Sequence, residues 1–238
     1  MVPEKQISEF VSRMRERAGT NLQSVILYGS ASAGEFHSDF SNVNLLCVLR
    51  ASSFTALRGL VPVVKWWTKQ KHHAPLVLTH EEIVRSADVF SIEMLDMKRR
   101  HRVLFGDDIL KDLQIPMQFH RAQVEYELRE KQILLRQHLL AVGEDEKQMW
   151  ALLQGSLSSF STLFRHALIL FGEDEYKAKR ETIQALSFRI QFDSSAFFQL
   201  LDIRERKAET KQFDVKDVFT RYLDAVQQVT NEVDTMLN

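Results

Sequence analysis

Between Ser24 and Leu49 the chain gathers small, hydroxyl and amide side chains in an order suited to holding a phosphate. The segment opens Ser-Val-Ile-Leu-Tyr-Gly-Ser, passes a turn-rich stretch from Gly34 to Ser41, and resumes as Asn-Val-Asn-Leu-Leu-Cys-Val-Leu. Gly29, lacking a Cβ, lets the backbone come close to a ligand, and Ser30 then offers a hydroxyl and an amide at a helix start, a seat for phosphate oxygens. Asn42 and Asn44 are two apart on an expected strand, so both side chains face one side, toward that seat. Each amide can donate to phosphate oxygens without a metal, or simply satisfy nearby backbone groups.

An apolar strand, Tyr28-Gly29-Ser30, a later Gly34, then Ser41-Asn42-Val43-Asn44-Leu45-Leu46 opening a second strand, resembles the DNA polymerase beta-like nucleotidyltransferase superfamily. Within it the resemblance is to the small bacterial and aminoglycoside-modifying nucleotidyltransferases. It implies that Gly29 and Ser30 bind nucleotide phosphates and that positions 42 and 44 are those of a magnesium-binding Asp-x-Asp pair. It also implies a third carboxylate on a later strand; Ile92-Glu93-Met94-Leu95-Asp96-Met97 places Glu93 there, as the candidate catalytic acid. The cofactor it implies is a nucleoside triphosphate. At the level of motif the likeness spans residues 24–97, and a helical C-terminal half fits enzymes whose bundle helps to bind the acceptor.

Three departures fall on functional positions. Asn42 and Asn44 replace both aspartates, and Ala33 stands where many members carry arginine. Asparagine keeps the reach but brings no charge, whereas magnesium is a hard cation held by carboxylates and substrate phosphates. The sequence therefore predicts no metal site, or magnesium held only weakly. Losing a two-metal clamp removes several kcal/mol of transition-state stabilisation, or several decades in rate. Glu35 and Asp39 lie nearby in the loop but belong to no Asp-x-Asp pair.

Other candidates are weaker. The run Lys98-Arg99-Arg100-His101-Arg102 could face phosphates, but reads better as a solvated loop paired with local acids. His72, His73 and His101 have no partners at zinc-ligand spacing. Trp66-Trp67 reads as helix packing, and Cys47, inside an apolar strand, as inert core.

These residues need elements to position them. Up to about residue 113 the apolar pattern alternates between helical and extended periods. Ile7, Phe10, Val11 and Met14 mark a helix, 24–28 and 43–49 strands, and 75–78 and Phe90 to Met97 further strands. Ser53 is an expected N-cap for a helix with a kink or restart at Pro62, and Thr79 with Glu82 forms a capping box. From about residue 116 only helical stripes remain, one from Trp150 to Phe171 and another from Val215 to Met236, with a further helix from Val124 stopped by Gly143. The expected architecture is α+β or α/β, a nucleotidyltransferase-fold mixed sheet with flanking helices in residues 1–113, followed by a C-terminal bundle of four or five helices in residues 114–238.

Composition narrows the function classes. In 238 residues, 31 Lys plus Arg against 32 Asp plus Glu leave a net charge of −1, which argues against general nucleic-acid binding. One cysteine cannot form an internal disulfide, and the N-terminal Met-Val-Pro-Glu-Lys-Gln has no signal-like pattern, so a cytoplasmic protein without membrane association is expected. A nucleotide is the expected ligand, with a protein partner or homodimer compatible. Three readings stay open. One is a nucleotide-binding or partner-binding pseudoenzyme. Another is an active enzyme moving a nucleoside monophosphate to a small molecule, RNA or protein. The last is a structural interaction module.

Overall fold

The computed structural model describes residues 2–32, 42–173, 175 and 177–236. It divides into two compact units, residues 1–117 and 118–238. Ala33, Gly34, Glu35, Asp39 and Ser41 lie outside the described residues.

The first unit runs α1 (Glu4–Ala18), β1 (Leu22–Tyr28), β2 (Asn44–Leu49), α2 (Phe54–Lys69), β3 (Leu76–Thr79), α3 (His80–Ser86), α4 (Ser91–Arg99) and β4 (His101–Gly106). The sheet order is β3-β2-β1-β4. β1 pairs antiparallel with both β2 and β4, and β2 pairs parallel with β3, giving a mixed sheet. Alternation along β1 and β2 splits the core in two. Val25, Leu27, Val43, Leu45 and Cys47 pack with Phe10, Met14, Leu60 and Trp67 of α1 and α2. Ile26, Leu46 and Val48 pack with Ile83, Met94 and Met97 of α3 and α4 on the other face.

Local signals placed several boundaries. The Ser53 hydroxyl accepts from the Ala56 amide at the start of α2, which runs unbroken through Pro62 rather than restarting there. Thr79 and Glu82 form the reciprocal capping box of α3. One element is a correction. Phe90 to Met97, expected as a strand, is the helix α4. Its buried positions Ser91, Met94 and Met97 recur every three residues, Glu93 and Asp96 share that spacing, and Met, Leu, Glu and Lys all favour helix. The strand lies instead at His101–Gly106, where the basic run reads as a loop. It forms because Val103, Leu104 and Phe105 complete the edge beside β1.

In the second unit, five helices are found among the described residues: α5 (His120–Val142), α6 (Glu146–Leu170), α7 (Lys179–Ile190), α8 (Ser195–Arg204) and α9 (Val215–Thr235). The two predicted stripes supply its core. Leu153, Leu157, Phe160 and Phe164 are buried on α6, and Val218, Tyr222, Val226 and Val229 on α9. Phe197 of α8 stacks on Tyr222 at 4.4 Å and meets Phe164 at 5.0 Å. Gly143 ends α5 at φ 57°, its amide donating to the Leu139 carbonyl.

Candidate functional site

β1 stays extended to Tyr28, and the chain then turns sharply. Gly29 takes φ +75°, a left-handed value that L-residues avoid, and a single 3-10 turn covers Gly29–Ala31. Ser32 closes the turn, its amide donating to the Gly29 carbonyl at 3.0 Å. The Ser32 hydroxyl lies 2.8 Å from that same carbonyl and 3.0 Å from the carbonyl of Arg100, tying the turn to the junction of α4 and β4.

Asn44, the first residue of β2, sits directly across from Tyr28. A Cβ on Gly29 would lie 2.9 Å from the Asn44 side-chain nitrogen, so the amide rests against the open face of the glycine. Glycine is needed here twice over, for its φ and for the room it leaves the amide. Tyr28 also pairs with His101 of β4, so Asn44, Tyr28 and His101 form one rung across three strands with side chains on a common face. That face is the α4 side, where Tyr28 packs against the second core. Burial raises the Tyr28 phenol above its usual range, and the Glu93 carboxylate raises it further, which puts Glu93 within electrostatic reach of the rung. His101 is held at both ring nitrogens, Nδ1 against the Met97 carbonyl at 2.9 Å and Nε2 against Asp108 Oδ1 at 2.9 Å.

Gly29, Ser30 and Asn44 are therefore together at one end of the sheet. Asn42 is exposed and precedes β2 instead of lying on it, while Val43 between the two asparagines is buried toward α1 and α2. Glu93 is exposed in the first turn of α4, so the acid assigned to a strand approaches from a helix. None of the four described strands carries an aspartate or glutamate. Among the described residues, no group of three or more His, Cys, Asp or Glu is placed to hold a metal ion. Within the basic run, Arg102 pairs with Glu4 at 2.8 Å and Lys98 donates to the Leu113 carbonyl at 2.7 Å, so structural contacts absorb both. Cys47 is buried, which pushes its thiol up to about 12 and keeps it from acting as a nucleophile. Trp67 is buried on Phe10, and His72 stacks on it at 4.0 Å.

Sequence reasoning missed Tyr28 and Ser32. Tyr28 stood inside the motif without a role, and no local pattern announces a bond from Ser32 to a carbonyl 68 residues away. An open cavity of about 560 Å³ at Arg15, Thr20, Arg50 and Phe105 lies at the far end of β1, by Leu22, and belongs to no part of this rung.

No protein-family model matches the chain, and no curated protein matches it. Among solved structures it is similar to the spectinomycin adenyltransferase AAD(9) from Enterococcus faecialis, determined with ATP and spectinomycin. The two superpose with a TM-score of 0.61 at 14% identity, over 98% of this chain and 99% of that one. The chain has a nucleotidyltransferase fold. A toxin–antitoxin structure with AMP-PNP matches more partially, with a TM-score of 0.31 and 16% identity over 44% of this chain and 75% of that one. The Gly29–Ser30 turn and the start of β2 lie at the same end of this sheet.

Proposed function

We propose that this chain is a nucleotide-binding protein of nucleotidyltransferase fold that has lost most of its metal-dependent transfer chemistry and works as a nucleotide-sensing or partner-binding module. One observation carries the reading: the Asn44 amide rests on Gly29, at the glycine–serine turn, where the motif calls for a carboxylate. An amide there can donate to a phosphate oxygen, whereas a divalent cation needs negative oxygens. The described groups at this end are neutral amides, hydroxyls, the carboxylate Glu93 and Asp108, whose Oδ1 is engaged by His101, and among the described residues no three acidic or His/Cys groups gather to hold a metal. That set does not fit a two-metal centre, so no step is routed through magnesium. In this reading Gly29 and Ser30 receive the phosphates, Asn44 and the exposed Asn42 donate to them, and Glu93 orients the bound nucleotide instead of clamping a metal.

A second reading, an active transferase delivering a nucleoside monophosphate to a small molecule, RNA or protein, draws support from Glu93, whose charge reaches Tyr28, and from the AAD(9) structure's bound ATP. Calorimetric titration with ATP and GTP, with and without magnesium, separates the two. Metal-independent binding without pyrophosphate release is the expected result. Metal-dependent binding with pyrophosphate release establishes the second reading, and no binding at all leaves a structural interaction module. The double substitution Asn42→Asp with Asn44→Asp should create or strongly raise magnesium affinity. A double variant that binds no more magnesium than the parent sinks the assignment of these residues to a phosphate site.

A further inference from the structure

The open cavity by Leu22 is lined by Arg15, Arg50, Ser12, Thr20, Phe105 and Glu16, all from the first unit. Leu22 pairs with Leu49, at the opposite end of the β1–β2 ladder from Tyr28 and Asn44, so this cavity is separate from the glycine–serine turn. Each arginine is held by one uncharged group. The Arg15 guanidinium lies over the Phe105 ring, 4.7 Å from its centroid. Stacking uses the flat face of a guanidinium and leaves the N–H groups around its edge able to donate. Arg50 Nε donates to the Thr20 carbonyl at 3.1 Å, which fixes the side chain through one of its three nitrogens. Among the described residues, neither arginine is paired with a carboxylate.

Hydrogen bonds fix the loop behind them. The Gly19 amide donates to the Arg15 carbonyl, the Leu22 amide to the Gly19 carbonyl, and the Arg50 amide to the Asn21 carbonyl at 2.8 Å. The Asn21 side chain brackets Ala51, its Nδ2 donating to the Ala51 carbonyl and its Oδ1 accepting from the Ala51 amide, both at 3.0 Å. The carbonyls of residues 15, 19, 20 and 21 therefore have donors already, and the remaining arginine N–H groups are not needed by the loop.

We propose that this cavity binds a phosphate group, either as the free anion or as part of a phosphomonoester. Two guanidinium edges match the oxygens of a tetrahedral anion, and the Ser12 and Thr20 hydroxyls supply further donors. Glu16 leaves the ionisable lining with a charge of two minus one, or +1. That suits a single phosphate and not a nucleic-acid backbone, which needs a row of cations. The cavity, at about 560 Å³, falls within the roughly 300–1,000 Å³ of small-molecule sites, so it has room for the body of an ester beside the phosphate.

Amide NMR of the isotope-labelled full chain tests the proposal, with inorganic phosphate and glycerol phosphate titrated separately at constant ionic strength. The expected result is a set of shifts at the Gly19, Thr20 and Arg50 amides that saturate. Tighter binding of glycerol phosphate identifies an ester as the occupant, and equal binding identifies the free anion. Arg15→Gln and Arg50→Gln should each weaken binding about tenfold, the loss of a charge-assisted contact. Both positions are exposed, so the variants should keep their fold, which circular dichroism checks. Arg50→Lys keeps the charge but loses the planar fork, and should weaken binding almost as much. Asn44→Ala, at the other end of the sheet, should leave these shifts unchanged. The absence of saturable shifts at the three amides overturns the proposal. Parent-like affinity in Arg50→Lys also overturns it, because a diffuse positive field then accounts for the binding. Shifts confined to Gly29 and Ser30 overturn this site while leaving the nucleotide-binding reading intact.

Discussion

The two halves of the chain bury polar groups very differently. Among the described residues of the first unit, Ser24 and Ser91 are the buried polar side chains. In the second unit His120, Gln132, Gln154, Arg165, His166 and three hydroxyl residues are buried. A sheet fixes its own register through the backbone ladder, so its two cores can be almost purely apolar and the polar chemistry collects at the strand ends, by Gly29. Helices packed side by side have no ladder between them, and polar contacts can set how far one is displaced along another. Gln154 of α6 donates to the Leu200 carbonyl of α8, Gln132 of α5 to Gln227 of α9, and Ser156 of α6 bonds Tyr222 of α9 at 2.9 Å. Gln132, Gln154 and the Ser156–Tyr222 pair thus tie helices of the second unit to one another, whereas the polar groups of the first unit collect at the end of the sheet.

The contrast is tested hardest where the sheet half is most apolar. Trp67 is fully buried, packs on Phe10 at 4.9 Å and spends its one polar atom on the His73 carbonyl. Trp67→Ala should cost about 3–5 kcal/mol through lost burial and an unfilled cavity. Hydrogen exchange should show the lost protection in α1, α2, β1 and β2. Equal loss in α6 and α9 would break the contrast, because the halves would then share one cooperative core.

A smaller effect comes from alkali. The Cys47 thiol in β2 is raised from 9.0 to about 12 by burial, and burial also raises Tyr222 in α9 above its usual 10.0. For an acid whose folded pKa is raised, the unfolded chain ionises first, so stability is complete below the unfolded pKa and falls as pH climbs toward the folded one. Cys47 therefore withdraws stability from pH 9 to about 12, and Tyr222 begins a unit later. Between pH 8 and 10.5 the Cys47 contribution is about 2 kcal/mol, against less than about 1 kcal/mol from Tyr222. Urea unfolding at the two pH values should show most of this loss vanish in Cys47→Ala. An undiminished loss in that variant would mean the sheet half is not the more alkali-sensitive one.

Legibility in the sequence followed the range of the interactions. The proximity of Gly29, Ser30 and Asn44 could be read because a strand, a turn and a strand follow one another in the chain, and the bundle because its stripes are local and periodic. The α4 helix was misread because Phe90, Ile92 and Met94 also alternate like a strand, so the acid at Glu93 had no fixed element from sequence alone. β4 was hidden by charge: His101 and Arg102 look solvated until an edge strand beside β1 gives their backbone a partner. The tie from Ser32 to Arg100 exists only once the sheet has formed, and no window of sequence contains it.

The smallest expected effect concerns the site itself. Gly29→Ala should cost about 1–2 kcal/mol for the left-handed φ, plus a further penalty because the new methyl meets the Asn44 amide. That second part is removable, since the amide is the far end of a flexible side chain. It contrasts with Gly106, where φ is +77° and an added Cβ would fall 1.9 Å from the Gln23 carbonyl oxygen, a backbone atom that cannot swing away. A double-mutant cycle of Gly29→Ala with Asn44→Ala should therefore show coupling: the alanine at 29 should be better tolerated once the amide is gone, while the φ strain persists. Calorimetry on the same set should find nucleotide binding reduced by either single change. If removing Asn44 leaves the cost of Gly29→Ala untouched, the amide does not lie over the glycine, and the proposed phosphate seat loses the donor that distinguishes it from an ordinary strand end.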